Sequence, residues 1–483
     1  MVGCAKVRQA SGLQRTSIAF FSVLALGRLS GGCGDERAVP AVADISTAEA
    51  SDGTPDDAVA GLVDTTDAGA PDGFEAVDMS AAPSLDRIPV NTEPCRNPRY
   101  WPYSLHEPTA DVRVHFRRRE HEGIAREVAA AATFSLRFQQ DISAFRRPAS
   151  DDGRCGPDAA LDIFLWEAAP LTYTDLVAMN DTTAWEDGYP FIVLDAIDTF
   201  GGAALPSTVA HELNHALQAA DAWFDSPIAF EMTAMFVEDQ VFPLDDNWLY
   251  FVEDYQRSPH LAVDHDDGYE TLYMYGSVLY LQYLQARFFP ADPSFIGRIW
   301  LAMRSPDDDN EPDFLDAIER VLEPAGRGFA DTVVEFARWR WYTNYRDVGL
   351  HLPEAGIHPV RSLVMARDLD FIDGVTTYPL RTMMFGSAYV RVAETTAASY
   401  QVQLASNAPI DWVVQALTND ARDTDTLVVR QADGLYRVQA DGQPLVLVFT
   451  ALPGPTEDAD PDTRNTAFFN ATVRIDAVPA GPP

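Results

Sequence analysis

Lysine is almost missing from this chain: its 483 residues include one, Lys6. Even with arginine counted, 35 basic side chains face 73 acidic ones, a formal net charge of −38. Nucleic-acid binding draws on surface lysine and arginine to neutralise phosphates, so nucleic acid is not expected as a partner. The charge suits solubility instead. Cysteine is scarce as well. Of four, Cys4 and Cys33 lie in the opening stretch, which leaves Cys95 and Cys155. Neither has a Cys-x-x-Cys neighbour, which argues against a cysteine metal site. In an exported protein such a pair is expected to form a disulfide, adding about 4 kcal/mol on the chain-entropy model. No long apolar run opens the chain either: Ile18–Leu26 is too short to span a bilayer.

What precedes and follows that run has the pattern of a secretory signal. Lys6, Arg8 and Arg15 form a charged start, and a short apolar stretch follows. Leu29-Ser30-Gly31-Gly32-Cys33 then resembles a bacterial lipoprotein cleavage box, which implies a lipid on Cys33. Ser30 stands where leucine is usual, and Arg28 interrupts the apolar run. Residues 1–33 are therefore expected to be a signal segment. The protein is expected to be exported, either lipid-anchored in the cell envelope or extracellular, with the membrane met only through Cys33. Residues 38–86 hold eleven acidic side chains, no basic ones and one aromatic, Phe74. Such a stretch buries too little apolar surface to offset its ordering entropy, so 34–90 is expected to be a disordered, self-repelling tether.

From about residue 91 the chain reads as globular and α+β. Asp111–Phe116, Leu161–Trp166 and Pro190–Ile197 have strand character, and Glu122–Phe145 reads as a long alanine-rich helix. Helical patterns follow at Phe295–Arg304, Asp313–Leu322 and Phe329–Tyr345. Near residue 360 the pattern changes to short runs separated by Gly, Asn, Asp and Pro: 389–392, 400–404, 412–416, 426–430, 435–439, 445–449 and 471–475. That spacing predicts an antiparallel β-sandwich over 361–483, after a domain at 91–360. Two acidic runs, Asp264–Gly268 and Asp307–Glu311, lack the EF-hand spacing and read as solvated loops.

The chemistry is concentrated in His211-Glu212-Leu213-Asn214-His215. Leu205–Ala220 is rich in helix formers, with Pro206 suited to a first turn. Val209, Leu213, Ala216, Leu217 and Ala220 recur at helical spacing. Residues i and i+4 share a helix face, so both imidazoles can reach one ion. Glu212 then lies beside it, where a carboxylate can take a proton from water. Ser226-Pro227 marks the start of a second helix, through Asp239, which carries Glu231 near its beginning. Catalytic zinc takes three protein ligands and keeps one position open, so Zn²⁺ is expected on His211, His215 and Glu231.

This arrangement resembles the gluzincin metallopeptidases, which pair His-Glu-x-x-His on one helix with a Glu-x-x-Ala element on the next, here Glu231-Met232-Thr233-Ala234. It is also similar to secreted bacterial metalloproteases that show His-Glu-x-x-His-Ala-x-Gln, then Glu-x-Thr-Ala and Glu-Asp. His215-Ala216-Leu217-Gln218 and Glu231–Asp239 match that pattern. The resemblance implies a two-lobed zincin-like catalytic domain with a mostly helical second lobe. It also implies a zinc endopeptidase acting on peptide or protein substrates, with Glu212 as general base. Tyr273-Met274-Tyr275-Gly276 resembles an oxyanion-binding Tyr-x-Lys-Gly element, which implies a catalytic role for Tyr273, with Tyr269 and Tyr275 as alternatives. Gluzincins often place an aspartate four residues after the glutamate ligand to support a zinc histidine. Here that position is Met235, and Glu238 or Asp239 is expected to substitute. Asp221 is a rival third ligand, but its pattern needs glycine where this chain has Gln218. No Gly-x-Met-Glu-Asn element marks an aminopeptidase, and the 190–197 run is expected as the sheet edge along which substrate lies. The rival reading is a surface-exposed binding lipoprotein whose zincin domain is inactive.

Overall fold

The structure is a computed structural model that describes residues 101–478 apart from short internal stretches, together with Phe20–Ser22, Leu85–Asp86 and Pro94. Most of the expected signal segment and tether lies outside the described residues. The amino-terminal half is built on a seven-stranded mixed sheet. In chain order its strands are β1 (Phe20–Ser22), β2 (Leu85–Asp86), β3 (Tyr103–Glu107), β4 (Val112–Phe116), β5 (Leu161–Leu165), β6 (Thr172–Met179) and β7 (Gly188–Leu194). They lie side by side as β1-β6-β7-β5-β4-β3-β2. The β4, β5 and β7 strands are parallel neighbours and buried along their whole length, as strands covered on both faces must be.

That order corrects one expectation. Pro190–Leu194 of the 190–197 run does lie in a strand, but β7 lies inside the sheet, and β6 runs antiparallel along its outer side. The outermost place beyond β6 is taken only by Phe20–Ser22, paired with Thr172–Thr174. The cause is non-local: β6 turns back on β7, and nothing in the β7 sequence encodes which side that hairpin occupies.

One sheet face carries Trp101, Phe164, Phe191, Val193 and Cys155 as an apolar cluster. Cys155 is disulfide-bonded, as expected, while Cys95 lies outside the described residues. The other face carries α1 (Glu122–Asp141) and α2 (Leu205–Gln218), and α2 packs in turn on α3 (Pro227–Val241). The α1 helix ends four residues before Phe145. Ser226 occupies the N-cap position of α3 with extended backbone, but its hydroxyl makes no capping bond; the Asp225 carboxylate accepts from the Ser226 N–H instead. All of α2 except Pro206 is buried. Its polar residues must therefore find partners inside the protein.

The helical region continues with α4 (Leu249–Arg257), α5 (Tyr273–Gly276), α6 (Val278–Phe288), α7 (Phe295–Ala302), α8 (Phe314–Leu322) and α9 (Phe329–Trp341). Asp313 caps α8, its carboxylate accepting from the Leu315 and Asp316 N–H groups. Gly276 lets α5 approach α4 closely. A Cβ there would lie 2.4 Å from the Phe251 carbonyl oxygen and 2.7 Å from Tyr255 Cβ. Gly276→Ala is expected to cost about 1–3 kcal/mol by overpacking, seen as a lower denaturant midpoint with an unchanged slope.

The carboxy-terminal part has β8 (Arg367–Phe371), β9 (Val375–Met383), β10 (Ser387–Glu394), β11 (Ser399–Ser406), β12 (Ile410–Thr418), β13 (Thr426–Val428), β14 (Tyr436–Gln439), β15 (Leu445–Pro453) and β16 (Phe468–Val478). They form a five-stranded sheet, β13-β12-β15-β10-β8, and a four-stranded sheet, β14-β11-β16-β9. All seven expected runs are strands. The β8 and β9 strands were not foreseen, and β8 pairs parallel with β10 rather than antiparallel. Pro379 hides β9 in the sequence, and β9 tolerates it because it is an edge strand. The five-stranded sheet shares a core with α9: Ala337, Trp341 and Tyr342 pack against Tyr389, Leu417, Val446 and Val448. The Tyr389 hydroxyl donates to the Ala337 carbonyl at 2.5 Å. The expected boundary at 360 falls among residues outside the description. No helix among the described residues is long and apolar enough to cross a membrane.

Candidate metal centre

The α2 and α3 helices bring His211, His215 and Glu231 together, with their ligand atoms all within 4.8 Å of one another. His211 Nε2 lies 3.1 Å and His215 Nε2 3.6 Å from Glu231 Oε2. Tetrahedral bonds of about 2.0–2.1 Å to one ion set neighbouring ligand atoms about 3.3–3.4 Å apart, so the two distances bracket that separation. All three side chains are fully buried. Glu231 Oε1 has no hydrogen-bond partner, and a buried carboxylate oxygen left so is costly unless a cation sits beside it. The electrostatics agree. Burial opposes a charged His211 ring, yet the hydrogen bonds and charges of Glu231 and Glu238 outweigh it and push the imidazole up to about 10. Burial likewise opposes a charged Glu231, but His215 and His211 hold its carboxyl below the usual range. The pocket calls for positive charge between the rings and the carboxylate. Among the described residues this is the one group of three or more such side chains that could hold a metal ion.

The far side of each imidazole is also held. Glu238, one of the two residues expected in this role, accepts from His211 Nδ1 at 3.1 Å, which leaves Nε2 for an ion. Asn247 Nδ2 steadies Glu238 through Oε1 at 2.7 Å. Asp239, the other candidate, takes the Trp248 indole N–H at 3.0 Å instead. Met235 sits in the core.

His215 is held by a chain of amides that the sequence did not disclose. Gln139 Nε2 donates to the Ala210 carbonyl at 2.9 Å, so its Oε1 accepts from Asn214 Nδ2 at 3.0 Å. Asn214 Oδ1 then accepts from Gln218 Nε2 at 2.7 Å, which leaves Gln218 Oε1 to accept from His215 Nδ1 at 2.8 Å. The carbonyl at the end is acceptor only, so it sets the direction of every link and the tautomer of His215. Gln218→Leu is expected to weaken metal binding about 10- to 100-fold, read by competition with a chelating dye.

Glu212, next to His211 on α2, is fully buried. The Thr174 hydroxyl on β6 lies 2.8 Å from its Oε2 and 3.0 Å from its carbonyl oxygen, tying that carboxylate to the sheet. Thr174 gave no signal in the sequence, being one of two threonines in a strand without a motif. Asp221 is not brought to the triad: its carboxylate pairs with Arg146 at 2.5 Å. Nor do the described contacts bring Tyr273 there. Its hydroxyl donates to the Ala262 carbonyl at 2.7 Å, and its ring packs on Tyr255 and His265. Tyr275 is the tyrosine whose ring stacks by His211, 6.4 Å between centroids. Tyr269 lies outside the described residues.

Comparison with protein-family models finds no match to this chain, and comparison with curated proteins finds none.

Proposed function

We propose that the chain is an exported zinc-dependent endopeptidase of the gluzincin type, with a zincin-like two-lobed catalytic region and a β-sandwich appended. The observation that carries this reading is the convergence of two imidazoles and a carboxylate, at 3.1 and 3.6 Å, with Glu212 buried next to His211 in the chain. His211, His215 and Glu231 would hold the ion; the donor set of two nitrogens and one oxygen suits zinc. When bound, zinc supplies Lewis acidity: it polarises a peptide carbonyl and makes water acidic enough to lose a proton near neutral pH.

The protein's own residues do the rest. Glu212 takes the proton from the attacking water and passes it to the leaving amine. Thr174 fixes the carboxylate orientation for both transfers. Glu238 and the Gln218 amide hold the two imidazoles so that neither needs to reorganise during the reaction. By proximity, Tyr275 rather than Tyr273 is the side chain suited to donate to the oxyanion. The edge from Asp175 to Met179 of β6, one strand further out than β7 and unpaired on that side among the described residues, is where an extended substrate would pair through main-chain bonds. Export and lipid attachment through Cys33 belong to the same proposal, resting on the signal pattern and the Leu29–Cys33 box.

The complete burial of the triad favours a second reading, a binding lipoprotein in which the ion is structural and closed off. Zinc quantitation with peptide-library cleavage, on the parent chain and Glu212→Gln, separates the two. The peptidase reading expects one zinc per chain and cleavage that depends on Glu212. Zinc without cleavage supports the structural reading, and no zinc at all removes both.

A further inference from the structure

Connecting turns ordinarily run over the surface, where water can meet their backbone groups. The turn from β9 to β10, which carries the chain from the four-stranded sheet to the five-stranded one, does not. Met383, Met384, Phe385, Gly386 and Ser387 are all buried. Phe385 sits at φ +63°, a left-handed backbone that a bulky residue keeps only where its surroundings fix it. They do: its N–H donates to the Ala451 carbonyl at 2.7 Å, and its ring meets Phe329 of α9 edge-on, 4.9 Å between centroids.

The turn is fastened to the loop that follows α4. The Met383 N–H donates to the His260 carbonyl at 2.8 Å, and the Ser387 N–H to the Pro259 carbonyl at 2.7 Å. Between them only glycine fits: a Cβ on Gly386 would lie 2.4 Å from the His260 carbonyl oxygen and 3.0 Å from that of Leu261. In the same loop the Ala262 carbonyl accepts from the Tyr273 hydroxyl at 2.7 Å. Tyr273 opens α5, and Tyr275 of α5 is the tyrosine whose ring lies by His211. A one-turn helix has no stability of its own, so its place is set by what it is tied to. The Tyr255 ring, on which Tyr273 packs, is held from α9: the Arg340 guanidinium rests 4.0 Å over it, and Arg340 Nε donates to Gln256 Oε1 at 2.7 Å.

We propose that the buried turn from β9 to β10 is a positioning element for the metal centre, with Gly386 and Tyr273 as its positioning residues. The turn fixes residues 259–262, these fix α5 through the Tyr273 hydroxyl, and α5 presents Tyr275 to His211. The carboxy-terminal sheets then belong to the reacting unit instead of hanging from it. A Cβ at position 386 meets a main-chain carbonyl, not a side chain that can swing away, so the loop must shift and α5 with it. The placement of α5 is a property of the fold; its consequence for rate rests on the peptidase reading.

The test is hydrogen exchange of the full chain, read at the Gly276 and Ser277 amides, whose N–H groups close α5 on Leu272 and Tyr273. Gly386→Ala and Tyr273→Phe are each expected to speed that exchange about tenfold or more, with the amides of α1 unchanged. Ile475→Ala is the control: it truncates the core of the same sheets, opposite Thr376 at the other end of β9 from Met383, and is expected to lower the melting midpoint without speeding α5. In hydrolysis, Gly386→Ala is expected to lower kcat about ten- to a hundredfold with KM and metal content unchanged. That loss is expected to vanish when Tyr275→Phe is already present. Exchange at α5 that is unchanged in the folded variants, or raised as much by Ile475→Ala, overturns the proposal. Tyr273→Phe keeps the shape of the side chain, so it decides the matter even where Gly386→Ala fails to fold. A kcat loss that persists in full beside Tyr275→Phe overturns the route through Tyr275. A parent chain that hydrolyses nothing overturns the peptidase reading, and the exchange result then decides the positioning role by itself.

Discussion

Glu212→Gln is expected to bind one metal ion per chain, the same as expected of the parent, and to hydrolyse peptide at least about a hundredfold more slowly. The two halves of that result come from different atoms. Metal retention depends on His211, His215 and Glu231, none of which the substitution touches. The loss of rate comes from replacing a proton acceptor with an amide of nearly the same shape, which can still meet the Thr174 hydroxyl through its oxygen. A large structural disturbance is therefore not expected, and circular dichroism should superimpose on that of the parent. Retained hydrolysis would remove Glu212 from the reaction. Lost metal would mean that the carboxylate helps to hold the ion instead.

The second large effect is expected at Glu231. Glu231→Gln keeps the size of the side chain and removes the charge that the two imidazoles face at 3.1 and 3.6 Å. Loss of one of three ligands should exceed the roughly 10- to 100-fold loss expected when an outer partner such as Gln218 is removed. A thermal readout accompanies it. An ion present at a thousand times its Kd stabilises the folded chain by about 4 kcal/mol, so a chelator should lower the melting midpoint of the parent measurably. The midpoint of Glu231→Gln should not respond to chelator. A chelator response equal to that of the parent would show that the ion is bound elsewhere.

Much of this centre is local and so could be read directly. The i, i+4 spacing of His211 and His215 puts them on one helix face whatever surrounds the helix. The Ser226-Pro227 start sets the phase of α3, and that phase aligns Glu231 with Glu238 two turns later. The support of His211 by one of the acids at 238 and 239 was therefore legible, although only packing decided between them. Tyr273 and Tyr275 are two positions apart in a one-turn helix, too short for any periodic pattern to say which faces α2. Packing against α4, where Gly276 allows contact, turns Tyr275 to His211 and Tyr273 to the Ala262 carbonyl.

By itself the sequence determined the two site helices, their three converging ligands, the acidic character of the chain and most strands of the carboxy-terminal sheets. Each follows from periodicity, composition or caps within a few residues. Tertiary structure alone decided what approaches from a distance: Gln139 reaching Asn214 from α1, Thr174 meeting Glu212 from β6, β7 lying inside the sheet rather than at its rim, and α9 sharing its core with the five-stranded sheet. Those contacts join residues tens of positions apart. Their geometry arises from the burial of whole faces at once, which leaves no pattern in any single segment.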